Sequence, residues 1–177
     1  MTTEPIHQKS SSALLVIDVQ KEQFEAGTPV YKADQLLQNI TLLISKARQE
    51  GVPVFYVQHS ADSYLKYGSE GWQLHPQIQP IAGEPVIHKR HPNSFEDTNL
   101  QEELSKRDVS VVVVTGLVTH GCVKATCLGA LKEGYQVVLV SDAHSNFSKD
   151  ALGMIEKWNR ELSSKGATLV ETNSVTF

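Results

Sequence analysis

The sequence predicts an α/β fold, a doubly wound, six-stranded, mostly parallel sheet of Rossmann-like order 3-2-1-4-5-6 with helices on both faces. Two observations carry this. Short runs rich in Val, Ile and Leu alternate along the chain with segments whose apolar residues recur at helical spacing. The short runs are also apolar at successive positions instead of every second one, which suits strands covered on both sides. With no internal repeat or low-complexity linker, residues 1–177 read as a single domain.

The polar stretch "MTTEPIHQKSSS" lacks the apolar core of a targeting signal, so residues 1–12 are expected to form a frayed tail. "ALLVID" (13–18) is the first strand, and "LLQNITLLISKARQEG" is a helix ending at Gly51. "VPVFYVQ" and "PVIHK" give strands two and three, separated by a long irregular segment, 60–84, that suits a pocket wall or subunit contact. Thr98 and Gln101 suggest a capping box for the helix "NLQEELSKR". Strand four is "VSVVVVTG", and a helix follows Cys122. Strand five is "QVVLVSDA", a helix spans about 149–165, and "ATLVE" closes the sheet.

The chain is 40% hydrophobic and 20% charged, with a net charge of -4, and its longest basic cluster is "HKRH". That balance argues against a nucleic-acid surface and favours small molecules or other subunits as partners. No apolar run reaches membrane-spanning length. Cys122 and Cys127 are one and a half helical turns apart, too divergent for an intrahelical disulfide or a metal pair; free thiols in a reducing cytoplasm are expected.

Open α/β sheets bind ligands beyond the carboxyl ends of their strands, at the point where strand order reverses. Asp18, His59, Lys89, the Thr119 to Cys122 turn, and Asp142 with His144 stand at those ends, and the expected order sets Asp18 beside Cys122. A thiol at a helix start is expected to ionise more readily, and a nearby lysine would help further. Asp18 could take its proton, and backbone N–H groups of the turn could hold an oxyanion. The plainer alternatives are a small buried hydrophobe for Cys122, a loop cap for Asp18 and a solvated Lys89. His120 is open between pocket and turn, and Trp72 between pocket wall and packing. His59 fits pocket lining, His88 and His91 fit a loop, and Asp142 and His144 fit structural capping.

These residues resemble a family. "LLVIDVQ", the lysine after strand three, and "VVVVTGLVTHGCVKATCLGALKEGYQVVLVSDA" are similar to the isochorismatase-like cysteine hydrolase superfamily, which includes nicotinamidases and N-carbamoylsarcosine amidases. The resemblance implies a catalytic triad of Asp18, Lys89 and Cys122. It also implies a cis peptide at Leu117–Val118 that aims the N–H of Val118, with that of Cys122, at the substrate oxygen. Phe24 lies one residue beyond the D-x-Q-x-x-F spacing of many members and is expected still to line the pocket, with His59, Trp72 and His120 as further substrate-binding candidates.

The Asp-x-His metal signature of nicotinamidases is missing from "YVQHSAD", so no metal and no cofactor are expected. The implied activity is hydrolysis of a C–N bond in a small non-peptide amide or ureido compound through a thioester. The alternatives are an enol-ether hydrolase releasing pyruvate, or a non-catalytic thiol-based binding or redox protein. A homo-oligomer, dimer or tetramer, is implied as well.

Overall fold

The computed structural model describes residues 11–25 and 27–177. Six strands, β1 (Ser11–Ile17), β2 (Val54–His59), β3 (Val86–Lys89), β4 (Val109–Leu117), β5 (Gln136–Ser145) and β6 (Thr168–Val170), form one sheet in the order β3-β2-β1-β4-β5-β6. Every adjacent pair is parallel. The helices are α1 (Lys21–Glu25), α2 (Ala33–Gln49), α3 (Leu100–Ser105), α4 (Lys124–Lys132) and α5 (Ala151–Ser164).

β1 shows why its residues are apolar throughout. Leu14 and Val16 pack into one core with Leu36, Ile40, Leu43 and Ala47 of α2. Ala13, Leu15 and Ile17 face the other core, with Leu104 of α3, Ala130 of α4 and Leu162 of α5. Alternate side chains of a strand point to opposite faces, so a strand covered on both needs apolar residues at every position. Each fully buried Leu or Ile contributes about 2 kcal/mol of transfer free energy. α2 carries its apolar stripe at three- and four-residue spacing and stops at Gly51, which takes the left-handed conformation (φ 70°) after a helix end.

Several local expectations are corrected. Residues 1–10 of the expected tail lie outside the described residues, but Ser11 and Ser12 belong to β1, where pairing with β4 extends the strand below its apolar run. Helix α1 was not foreseen: five residues carry too little periodicity to register. The capping box does not form. Asn99 is the residue before α3, while the Thr98 hydroxyl accepts from the Leu100 N–H (3.2 Å) and donates to the Ser94 carbonyl (2.6 Å). β5 runs on to Ser145, so Asp142 and His144 stand within it.

Segment 60–84 is pinned across the carboxyl edge of the sheet. Gln20 ties it to β2: its Nε2 donates to the carbonyls of His59 (2.9 Å) and Trp72 (2.8 Å), and its Oε1 accepts from the His59 N–H (2.9 Å). Farther out, Arg48 of α2 grips Glu84 through two 2.8 Å contacts. No helix among the described residues is long and apolar enough to cross a membrane.

Candidate active site

β1 and β4 are neighbours whose following segments lead to opposite sides of the sheet, and the crevice opens where they part. Gly116, paired with Ile17, holds this junction close. A Cβ on Gly116 would lie 2.1 Å from the Ile17 carbonyl oxygen, and its φ of 115° suits glycine alone. One residue beyond Ile17, Asp18 takes a left-handed backbone (φ 52°), a region that Asp tolerates better than most residues, while its N–H donates to the Val57 carbonyl (2.9 Å). β4 leaves through a cis Leu117–Val118 peptide into a π turn, Thr119–Val123, interrupted at Gly121 (φ −112°, ψ −108°) and followed by α4. Cys122 lies in that turn.

The ammonium of Lys89 is the hub. It lies 2.9 Å from Asp18 Oδ2, 3.1 Å from His59 Nδ1, 3.2 Å from the His91 carbonyl oxygen and 3.2 Å from Cys122 Sγ. Three N–H bonds face four acceptors, so the hydrogen bonds are shared among them. Lys89 and Asp18 are both almost wholly buried. β3 explains how a lysine comes to be there: its side chains alternate outward and inward, and Lys89 falls on the inward phase with Ile87. The plainer reading of Lys89 as a solvated surface residue is thus set aside.

Charge organises the rest. His59 accepts from the ammonium at Nδ1, so its proton is on Nε2; burial, with the positive charge of Lys89, lowers its pKa and keeps it neutral. The second carboxylate oxygen, Asp18 Oδ1, is buried with no hydrogen-bond partner among the described residues. Ligand atoms of Asp18, His59 and Cys122 all lie within 4.8 Å of one another. That set resembles a metal site, but the buried Lys89 ammonium already lies against all three, so a divalent cation would face an adjacent positive charge. The residues do not fit a metal.

The expectation that a helix start lowers the Cys122 pKa is overturned. Burial, with the Asp18 charge adding to it, pushes the thiol up to about 12, and Lys89 offsets only part of the rise. The helix proper begins two residues later, at Lys124, so the thiol does not occupy its first position. Cys127, in the interior of α4, is also pushed to about 12 by burial.

The other candidates are spread around this centre. Phe24 stacks on His75 at 4.8 Å and packs against the α2-side core. Trp72 is buried between the rings of Tyr67 (4.6 Å) and His88 (5.0 Å), with Nε1 unpartnered among the described residues. Half-buried His120 has a buried, unpartnered Nδ1. His88 belongs to β3 and not to a loop, while His91 contributes its carbonyl to Lys89. Asp142 does act as a cap, its Oδ1 accepting from Thr172 N (2.8 Å) and Oγ1 (2.7 Å). His144 is buried in a hydrogen-bond network.

Sequence reasoning missed Gln20, Gln23 and Tyr64. The Tyr64 hydroxyl donates to Gln23 Oε1, and its pKa is raised by burial and then by the charges of Glu22, Asp18 and Cys122, which places the phenol close to the centre. No spacing signal links residue 64 to residue 18; only the path of segment 60–84 does.

A doubly wound sheet with a thiol, a carboxylate and an ammonium at its switch point defines a class of α/β proteins equipped for nucleophilic hydrolysis. Residues 12–173 match the family model of the isochorismatase domain. The chain belongs to the isochorismatase family and is a hydrolase of that family. The isochorismatase family protein YddQ of Bacillus subtilis (strain 168) is 36% identical over 138 residues, covering 75% of this chain and 77% of YddQ. An N-carbamoylsarcosine amidase of an Arthrobacter species is 26% identical over 186 residues, covering 92% and 69% respectively. The crystal structure of an isochorismatase from Pseudomonas putida KT2440 superimposes with a TM-score of 0.86 at 28% identity, covering 93% of this chain and 90% of that one.

Proposed function

We propose that this hydrolase cleaves the C–N bond of a small non-peptide amide or ureido compound through a thioester on Cys122. The observation that carries the reading is the Lys89 ammonium within 3.2 Å of both Asp18 and Cys122 Sγ, with Asp18 Oδ1 buried and unpartnered beside them. Asp18 Oδ1 takes the thiol proton as sulfur attacks the carbonyl, and Lys89 holds the resulting thiolate. A thiol pushed to about 12 is a poor nucleophile until that transfer, so proton removal and attack belong to one step. The N–H groups of Val118 and Cys122 receive the oxyanion. Asp18 then protonates the leaving amine and activates the water that hydrolyses the thioester. Phe24, His59, Trp72 and His120 are proposed to line the substrate.

Similarity to an amidase supports a C–N bond over an enol ether, whose cleavage has no need of a thiol. The test is a panel of small amides and ureides assayed for ammonia or amine release, with isochorismate assayed for pyruvate in parallel. Amine release that Cys122→Ala abolishes is the expected result. Pyruvate without amine release overturns the amide reading, and an amine-releasing rate that survives in Cys122→Ala overturns the nucleophile.

A further inference from the structure

His144 has no part in the proton transfers above, yet it is a fully desolvated imidazole, 3% exposed, on the strand beside the Cys122 turn. It pairs with Gly116, and its neighbour Ser145 pairs with Leu117. Both ring nitrogens are bonded. Nδ1 lies 2.9 Å from Thr119 Oγ1, and Nε2 lies 2.9 Å from Asn159 Oδ1.

The directions of these bonds follow from the partners. Asn159 Nδ2 donates to the Ser141 carbonyl (3.3 Å), which turns its Oδ1 toward His144. A carbonyl oxygen only accepts, so Nε2 of His144 carries the proton and Nδ1 is left as the acceptor. The single hydroxyl proton of Thr119 therefore points at Nδ1, and Asn146 Nδ2 approaches the same oxygen at 3.5 Å as a donor. Burial lowers the His144 pKa to about 4, which keeps the ring neutral and the direction fixed. Thr119 directly follows Val118, and the Val118 carbonyl accepts from the N–H groups of Gly121 (2.9 Å) and Val123 (3.3 Å). The turn is tied internally through Val118 and externally through Thr119, and the external tie reaches β5 and α5.

We propose that His144, acting through the Thr119 hydroxyl, is a positioning residue that holds the Val118–Cys122 turn in the geometry that receives the substrate oxyanion. The inference rests on the oxyanion role given to Val118 and Cys122 above. Two backbone bonds close the turn on itself, and among the described residues Thr119 supplies its side-chain hydrogen bond to β5. Without that anchor the N–H groups lose their aim while the thiol keeps Asp18, which directly follows β1, and Lys89, which ends β3.

Two probes of Cys122 separate aim from reactivity. Propionaldehyde adds reversibly: an S–C bond forms, the carbonyl π pair moves to oxygen, and the thiol proton passes to Asp18, so the adduct uses the oxyanion site. Iodoacetamide alkylates the same sulfur with loss of iodide and builds no oxyanion. Protection of Cys122 from iodoacetamide by propionaldehyde is read by mass spectrometry. Thr119→Val is expected to raise the aldehyde concentration for half-protection about tenfold, a fraction of what losing an oxyanion donor costs. Its alkylation rate without aldehyde stays within about twofold of wild type, as expected when the thiol's charged neighbours are unchanged.

Thr119→Ser restores wild-type protection. Asn159→Leu, farther out on half-buried α5, gives the same direction and serves if Thr119→Val fails to fold, with thermal melts reporting folding. Unchanged protection in a folded Thr119→Val or Asn159→Leu protein overturns the proposal. So does a parallel fall in both readouts, which marks a merely structural role. Absent protection in wild type removes the oxyanion role itself and this inference with it. Wild-type protection without turnover of any amide overturns only the substrate reading.

Discussion

At the scale of single residues, the governing fact is a thiol whose surroundings oppose its ionisation. Burial is the first cause and the Asp18 carboxylate the second, with Lys89 compensating only in part. Asp18 adds to the burial that keeps Cys122 protonated at rest, and it is the base proposed above to remove the proton during attack. Substituting it splits these two effects. In Asp18→Asn the like charge is gone and Lys89 is left with the thiolate as its natural counter-ion, so the Cys122 pKa falls. Iodoacetamide labelling of Cys122 at pH 8 is then expected to rise about five- to tenfold, since one pKa unit is a tenfold change in thiolate while the thiol predominates. Amide turnover falls by about 10²- to 10⁴-fold with the base removed. Cys127, fully buried, stays unlabelled in both proteins and serves as the internal control. Mass spectrometry over a pH series checks this; slower labelling in Asp18→Asn would show that the carboxylate promotes ionisation and would reverse the assignment.

At the scale of elements, the site depends on how closely β1 and β4 approach as they end. A methyl group on Gly116 would lie 2.1 Å from the Ile17 carbonyl oxygen and 2.7 Å from the Ile17 nitrogen, and neither atom belongs to a side chain that could yield. Gly116→Ala therefore must separate the strands or rotate the exit of β4, and a loss of stability on the order of 4 kcal/mol is expected, together with displacement of Asp18. Urea unfolding measures the first, and the second is expected to raise iodoacetamide labelling of Cys122 in the folded Gly116→Ala protein toward that of Asp18→Asn, since the carboxylate that opposes its ionisation has moved away. This junction also shows which parts of the molecule can be read from sequence. "ALLVID" and "VVVVTG" announce buried strands because burial on both faces forces apolar residues at consecutive positions, and the strand-end rule then gathers Asp18, Lys89 and Cys122 without any knowledge of distances. Helix α1 and the false capping box at Thr98 lie below that resolution, since five residues carry no period and a hydroxyl can bond Ser94 as readily as a helix end. Tyr64 and Gln23 meet only because segment 60–84 returns over the site, and the raised Cys122 pKa is a property of burial, which no local pattern encodes.

At the scale of the whole molecule, four histidines have pKa values lowered first by burial: His59, His75, His88 and His144. The folded protein then holds fewer protons than the unfolded chain below the ordinary histidine value of about 6.5, so its stability rises with pH through that window and is lost on acidification. His144 supplies the part that can be assigned most directly, because it is fully buried and held at about 4. For one such group the loss between pH 7 and pH 5 is about 2 kcal/mol, and the half-exposed His75 and His88 add in the same direction with more solvent screening. His144→Asn keeps an acceptor near Thr119 but cannot take a proton, so its stability is expected to fall less steeply across this range even if it is lower at pH 7. Urea midpoints at pH 7, 6 and 5 compare the two slopes. Parallel slopes would mean that folded His144 takes up its proton over the same pH range as in the unfolded chain, and below about pH 6.5 the bond chain from Thr119 to Ser141 would then run through a charged ring, with Thr119 accepting instead of donating. The acid limb of the stability curve is therefore a second, independent reading of the same proton position on which the orientation of the Cys122 turn depends.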